Sequence, residues 1–587
     1  MFYTFHQTRL LELHYFSLIL MPKNVSIKVL KIEKKLIMHD RKIKILFVIP
    51  SSMPGDEQES FLNKTSILRV PIFSMPLGVL DLAAYLLKNL SNIEIKILDF
   101  GKDLYKIYQN QEKTPSMSVD EFISSELDSL DFKPDIIGIS ILFSSAHHTA
   151  MKIAKASKQK WPESKFICGG NHSTNYFTHL LKNENVDYVL RGEGELSFSQ
   201  FISNIQEGKE CLEVPGIIDE KMLAKNQTEV GPIIMDLDEI PIPAFDLLDL
   251  ETYKSNGAST MQSRGCVFKC TFCASHTVNG RDMRYKSNGR IVDEMNILIR
   301  NHGFKTLFIE DDLFATDKKQ FLPLSKEVSQ QNYPIRIRLP QGLSVAMMNE
   351  EMIDAMIAMG ISEASIAIES GSAYTQKHII KKHVNLDKAK EVLKCMRTKK
   401  FIFTVNFILG FPGETKELMQ ESLDYIRSLD VDWVFVFHAI PLLGTEMYDQ
   451  FVNMGALDPD NFDWDNVRLG RRGFDTVDIT SKELTKLIYD TNIDVNFFNN
   501  QNMKHGRYEK AIETFNLYIL SQYPFHIIGR YCRGLAYLEL NETEKGNEDL
   551  KECVAWISKN DESNQLFKRY GDRMPLLKPF MSEFSKV

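Results

Sequence analysis

The hydrophobic pattern changes its period along the chain. Residues 42–50 read KIKILFVIP, a nearly unbroken apolar run ending in a turn, which predicts a buried strand. PLGVLDLAAYLLKNL (76–90) repeats its apolar positions at helical spacing, and IEIKILDF (93–100) returns to strand. The alternation continues through PDIIGISIL (134–142), the helix TAMKIAKASKQKW (149–161), KFICGGNH (165–172) and VDYVLRGEGE (186–195). Strands alternating with helices in this way predict a Rossmann-like, doubly wound parallel sheet. Its ligands would sit at the carboxyl ends of the strands, where SILFSS, CGGNH and RGEGE fall.

The pattern then loses its period. MDLDEIPIPAFDLLDLETY carries prolines that block helix and central strand alike, so 206–258 reads as a linker. A second alternation begins at 259. STMQSRGC, TLFIEDD (306–312), IRIRLPQ (335–341), EASIAIES (363–370), FTVNFILG (403–410) and WVFVFHAIP (433–441) are six strand candidates separated by helical patterns. Six βα units predict a partial TIM barrel whose site lies at the polar carboxyl ends of its strands. Past 470 the strands stop. YEKAIETFNLYILSQYP (508–524) and YCRGLAYLELNETEKGNEDLKECV (531–554) read as helices with a 35-residue period between Ala511 and Gly546, similar to tetratricopeptide hairpins. The expected layout is therefore α/β multidomain: an extension (1–41), a doubly wound domain (42–205), a linker (206–258), a (β/α)6 core (259–470) and an all-α region (471–587) with TPR-like hairpins.

Charge adds exclusions. The 587 residues carry a formal net charge of -8 and a pI near 6.0, without the basic footprint of a nucleic-acid binder. No apolar run approaches the 18 or more residues of a membrane span, and FSLILM (16–21) is too short for a secretory core. The expectation is a cytoplasmic protein. Residues 1–47 hold nine Lys and Arg against three Asp and Glu without a period, and Met38 directly precedes HDRKIKILFVIP. Residues 1–41 thus read as a disordered tail or an overcalled start.

Of eight cysteines, Cys168, Cys211, Cys395, Cys532 and Cys553 are scattered and read as small buried apolar groups. The other three lie close together in MQSRGCVFKCTFCASHT (261–277): Cys266, Cys270 and Cys273. Three thiolates favour zinc or an iron–sulfur cluster. A structural zinc site wants a fourth ligand, for which His276 is available. A cubane cluster has four irons, so three cysteines leave one iron open to chelate a substrate or cofactor.

CxxxCxxC at the end of the first strand of a βα barrel resembles the radical S-adenosylmethionine (SAM) superfamily. The resemblance implies a 4Fe–4S cluster on Cys266, Cys270 and Cys273, with SAM chelated at the open iron and cleaved to a 5′-deoxyadenosyl radical. Phe272 matches the aromatic position of the motif. FIEDD (308–312) lies where the family contacts the SAM amino group, making Glu310, Asp311 and Asp312 candidates. IAIESGS (366–372) matches a segment near the ribose, with Glu369 and Ser370. NFILGFPGET (406–415) matches a segment in which Ile408 would pack on adenine and Gly410 would let the backbone approach. Gln341 and His438 also end strands facing the expected pocket.

PLGVLDLAAYL, PDIIGIS, CGGNHST, RGEGE and the linker DLDEIPIP resemble, in order, the cobalamin-binding domain that precedes the barrel in one large branch of that superfamily. The branch includes class B radical SAM methyltransferases and the anaerobic Mg-protoporphyrin cyclase. The resemblance spans about residues 42–470 and implies cobalamin contacts at Ser140, Ser144, Gly169, Gly170, His172, Gly192 and Glu193. The DxHxxG pattern that gives cobalt a histidine in mutases is missing, as is usual in this branch. His147 and His148 are expected as a helix start on the surface. The expected function is methyl transfer to an unactivated carbon or phosphorus centre through the deoxyadenosyl radical and methylcobalamin. The alternatives are oxidative cyclisation or rearrangement without methyl transfer, and a non-catalytic corrinoid-binding scaffold. Methylthiotransferases are disfavoured, since they carry a further cysteine set where this chain has only Cys168 and Cys211. The partners implied are a small-molecule or carrier-bound substrate, an electron donor such as flavodoxin or ferredoxin, and a protein docked on the C-terminal helices.

Overall fold

The structure, a computed structural model, describes residues 42–65, 70–110, 113–209, 214–399, 401–460, 462, 464, 470 and 472–584, the last three without their side chains. The N-terminal extension and Cys211 lie outside the described residues.

The first alternation forms a six-stranded sheet in the order β2-β1-β3-β4-β5-β6. Its strands are β1 (Ile43–Ile49), β2 (Ile93–Asp99), β3 (Ile136–Ser140), β4 (Lys165–Gly169), β5 (Tyr188–Leu190) and β6 (Ile217–Ile218). β1 to β5 are parallel, and β6 pairs antiparallel with β5. Chain order reverses between β1 and β3, which places a crevice at their carboxyl ends. The sheet is apolar on both faces because helices cover both. β6 corrects the linker reading: Ile217 and Ile218 lie within 206–258 and close the edge of the sheet.

The second alternation forms another six-stranded sheet, entirely parallel and in strict chain order. It comprises β7 (Ala258–Thr260), β10 (Thr306–Ile309), β11 (Arg336–Leu343), β12 (Ile361–Glu369), β13 (Ile402–Leu409) and β14 (Trp433–His438). This is a half-open barrel around one large apolar core. The first strand ends sooner than STMQSRGC suggests. Asp311 accepts hydrogen bonds from the backbone N–H of Gln262 (2.8 Å) and of Ser263 (2.8 Å). The chain bends there, and β8 (Ser263–Arg264) pairs instead with β9 (Arg284–Tyr285) as a separate hairpin.

The C-terminal region is helical. Helix Ser481–Ile493 opens on a capping box between Thr480 and Glu483. It lies along β14: Asn492 exchanges two hydrogen bonds with the backbone of Val436, and Asn496 two with Val434. The stretch 531–554 is two helices, Ile527–Glu539 and Thr543–Lys559, which cross at Gly534 and Gly546. A Cβ on Gly546 would stand 2.7 Å from Leu538, so the crossing admits no side chain there. Among the described residues no helix is long and apolar enough to cross a membrane.

Candidate active site at the carboxyl ends of the two sheets

Cys266, Cys270 and Cys273 sit on the loop leaving β8, all free and half-buried. The loop is tied down throughout. Cys266 N–H donates to Gly280 O (3.3 Å), Cys273 N–H to Cys270 O (3.3 Å), and Thr271 Oγ1 to Ile379 O (3.0 Å). Gly265 turns the chain at φ 100°, and a Cβ there would lie 2.2 Å from Asp282 O. Burial pushes the Cys266 thiol up and the Cys270 thiol up to about 11, with the other cysteines adding to both shifts. Left alone these groups are thiols at neutral pH, and a soft metal must displace their protons. Among the described residues no group of three His, Cys, Asp or Glu is arranged to hold a single metal ion. In a cubane, three such thiolates would bind three different irons. His276, the possible fourth zinc ligand, is hydrogen-bonded to the Cys273 backbone.

The proposed SAM residues separate into two groups. Phe272, Glu310, Asp312, Glu369, Ile408 and Gly410 line the strand ends beside the loop. Glu310 accepts from Ser259 Oγ (3.3 Å) and from Gln341 Nε2 (2.7 Å), and Asp312 accepts from Asn279 Nδ2 (2.7 Å). Glu369 has φ 71°, a left-handed conformation unusual for a residue with a side chain. Its Oε1 accepts from Lys382 Nζ at 2.9 Å, and Lys382 stands 5.9 Å from the Phe272 ring centroid. Ile408 and Phe272 pack on the apolar cluster that holds Phe411. Gly410 has φ 86°; its N–H donates to Glu414 Oε2 (2.7 Å) and its carbonyl accepts from Arg472 (3.0 Å).

Asp311 and Ser370 are not available as the sequence suggested. Asp311 is buried and spends both oxygens on Gln262 and Ser263, the latter through its hydroxyl as well (2.5 Å). Burial raises its carboxyl to about 6. Ser370 Oγ is buried against Ser422 Oγ at 3.0 Å. Both shape the backbone rather than face the pocket. His438, also buried, bonds Thr485 Oγ1 through Nε2 at 3.1 Å.

The corrinoid candidates divide the same way. Ser140, Ser144, Gly169 and Gly170 surround the carboxyl ends of β3 and β4, and Leu142 and Phe143 between them are 57% and 54% exposed. Two large apolar side chains in the open at a sheet's ligand end make a surface that a flat macrocycle could cover. Gly170 has φ 95°, and a Cβ there would lie 2.8 Å from Ile141 O. His172 is buried in the first turn of helix Asn171–Leu180. Its Nδ1 meets Ser144 Oγ (2.9 Å), its Nε2 meets His147 Nδ1 (3.1 Å), and Trp464 packs edge-on at 5.4 Å. Burial holds its pKa well below the usual range. His147 and His148 do begin a helix (His147–Lys160), but His147 is half-buried in that contact, and His148 is exposed. Gly192 N–H donates to Thr174 Oγ1 (3.0 Å). Glu193 is buried in ion pairs with Arg284 (2.5 Å) and Arg264 (3.5 Å), so its carboxylate does not face the crevice.

A cavity of 620 Å³ borders helix Ser481–Ile493 and is lined by Lys482, Thr485, Lys486 and Arg569 among others. None of its lining residues belongs to the cysteine loop or to the strand ends described above.

These two strand-end sites, one on each six-stranded sheet, fall in segments that match two family models. The radical SAM superfamily model matches residues 262–426 and the B12 binding domain model residues 75–202. An uncharacterized methyltransferase of Pyrococcus horikoshii is 30% identical over 370 residues, covering 61% of this chain and 77% of the relative. The cytidylyl-2-hydroxyethylphosphonate methyltransferase of Streptomyces wedmorensis is 29% identical over 437 residues, covering 67% and 80%. Among solved structures, the cobalamin-dependent S-adenosylmethionine radical enzyme OxsB, with aqua-cobalamin and S-adenosylmethionine bound, superposes with a TM-score of 0.59 at 14% identity over 92% of this chain and 84% of its own. The methyltransferase TsrM of Kitasatospora setae superposes at 0.53 and 16% identity, over 71% and 76%. The chain belongs to the radical SAM enzymes that carry a B12-binding domain. The 4Fe–4S cluster and SAM follow from that membership.

Proposed function

We propose that this chain is a cobalamin-dependent methyltransferase that acts on an unactivated carbon or phosphorus centre. The observation that carries the reading is a cysteine loop at the mouth of a half barrel, held directly against a B12-binding domain whose own ligand end is apolar and exposed. The two relatives described above are both named as methyltransferases, one of them for a phosphonate. When bound, the cluster supplies the electron that cleaves SAM and the corrinoid carries the methyl group.

The residues divide the work. Cys266, Cys270 and Cys273 hold three irons. Glu310 and Asp312 offer carboxylates to the SAM ammonium group. Glu369 accepts from the ribose hydroxyls while Lys382 holds its carboxylate in place. Ile408 and Phe272 supply apolar surface for the adenine and exclude water. Ser140, Ser144 and Gly169 leave room for the corrinoid and its side chains, and Gly170 and Gly192 turn the backbone beside them at positive φ. The substrate is a small molecule, free or carrier-bound. A flavodoxin- or ferredoxin-type donor supplies the electron, and the protein works in the cytoplasm. The C-terminal helices, TPR-like in pattern, offer a surface for a protein partner.

The test combines two measurements on anaerobically purified protein. Cys270→Ala abolishes 5′-deoxyadenosine formation; unchanged formation removes the cluster assignment. Methyl-labelled SAM passes its label to the product. Corrinoid retained without label transfer would favour oxidative cyclisation, and no corrinoid at all would remove the cobalamin part of the reading.

A further inference from the structure

The strongest unassigned feature is a buried cluster of five charged side chains between the B12-binding domain and the barrel. Arg264 and Arg284 leave β8 and β9 at directly paired positions. Arg264 meets Asp81 (2.8 Å), Glu195 (2.8 Å) and Glu193 (3.5 Å). Arg284 meets Glu193 (2.5 Å), and also Ile234 O (2.6 Å) and Asn279 O (2.8 Å). All five side chains are at most 7% exposed. Asp81 lies on helix Leu77–Asn89, and Glu193 and Glu195 follow β5; these three belong to the first alternation, the two arginines to the second.

Their location matters more than their number. Arg264 is two residues before Cys266. Arg284 holds the carbonyl of Asn279, the residue before Gly280, whose own carbonyl accepts from Cys266 N–H. On the far side Glu193 follows Gly192, a residue at φ 87° on the strand-end loop of the B12-binding domain. A second tie runs nearby. Asn175 Nδ2 donates to Thr277 Oγ1 (2.9 Å), and a Cβ on Gly444 would lie 2.2 Å from Asn175 Oδ1. The cysteine loop is thus gripped by the other domain through Arg264 and Arg284 at its hairpin and through Thr277 at its far end. A buried ion cluster adds little net stability compared with apolar packing, but it fixes register strictly, because any slip leaves a charge unpaired.

We infer that Glu193, Arg264 and Arg284 are positioning residues that couple corrinoid binding in the first domain to the order of the cysteine loop in the second. Glu193 is the shared member, the carboxylate that meets both arginines. This rests on the cobalamin reading proposed above. Coupling is reciprocal: if a closed cysteine loop favours the seated corrinoid, the seated corrinoid must protect the loop and its cluster.

The experiment measures iron loss to a chelator from anaerobically purified full-length protein, with and without saturating hydroxocobalamin. In the wild type hydroxocobalamin slows the loss by about tenfold, within the usual span of coupled sites. In Glu193→Gln, which still binds hydroxocobalamin by absorption and keeps its circular dichroism, the slowing falls below about twofold on the same scale. If Glu193→Gln does not fold, Glu195→Gln serves, since it leaves two carboxylates facing two guanidiniums; it gives a slowing smaller than the wild type. Equal slowing in wild type and variant overturns the coupling, because the corrinoid then protects the cluster only by covering it. A wild type that binds hydroxocobalamin with no slowing also overturns it while leaving the cobalamin reading intact. A wild type that binds none removes both.

Discussion

Two of the buried ion clusters among the described residues sit at opposite ends of the strands. The one just described lies at the carboxyl end, beside the cysteines. The other is built on Asp432, which precedes β14 at the amino end. Asp432 is buried and meets Arg397 (2.5 Å), Lys510 (2.9 Å), Asn502 Nδ2 (3.1 Å) and the backbone N–H of Phe403 (3.1 Å). It fastens the C-terminal helices to the floor of the barrel, where no candidate ligand residue lies. The same chemistry therefore serves two ends. At the amino face it holds architecture, and at the carboxyl face it reaches the reacting centre through two residues of backbone.

The comparison is broken most forcefully at Asp432. Asp432→Ala strips Lys510 of its buried counter-charge, leaves Arg397 to Asp430 (3.4 Å), and costs about 3–5 kcal/mol of stability. Denaturant unfolding measures it, and deoxyadenosine formation per folded molecule stays unchanged. Glu193→Gln gives the opposite profile. It costs about 1–3 kcal/mol as a lost charged partner, and its larger consequence is the loss of cobalamin-dependent protection of iron. If the two variants gave the same profile, position along the strands would carry no meaning.

A smaller effect sharpens the picture at Glu414, buried beneath Gly410 and Phe411 and accepting from both N–H groups. Burial raises its carboxyl from 4.5 to about 8. A folded-state pKa above the unfolded one means that the native state holds the proton longer. Its contribution to stability is full below about pH 4.5 and is lost as pH rises through about 8. Glu414→Gln keeps an acceptor for the two N–H groups and flattens that part of the pH–Tm curve. Thermal unfolding between pH 5 and 9 reads the difference, roughly a few degrees in Tm.

The sequence was informative wherever one residue type does one job. Continuous apolar runs marked the strands and CxxxCxxC marked the loop after β8, whereas Gly410, expected to let a cofactor approach, turns at φ 86° against Leu484 and Arg472. It was uninformative wherever a polar residue has two physical uses. A carboxylate after a strand is equally a cofactor contact or a backbone latch. Asp311 is the latch and its neighbours Glu310 and Asp312 are not, because only Asp311 can reach the bend after β7. Glu193 and Arg264 stand more than 70 residues apart, and no local spacing announces that they meet. The linker reading missed β6 because a two-residue strand has no period. Asn492 and Asn496 gave a hint, i and i+4 on one helix face, but amides at that spacing usually face solvent.

Those two asparagines set a limit on how the chain can be divided. They occupy backbone groups of β14 that a seventh strand would otherwise use, and they come from beyond residue 470. A truncation ending at 470 would strip them away and leave WVFVFH as a bare, aromatic and uncharged edge. Such edges recruit strands from other molecules. The helical tail is thus a cover for the barrel, and a fragment lacking it would aggregate before its chemistry could be assayed.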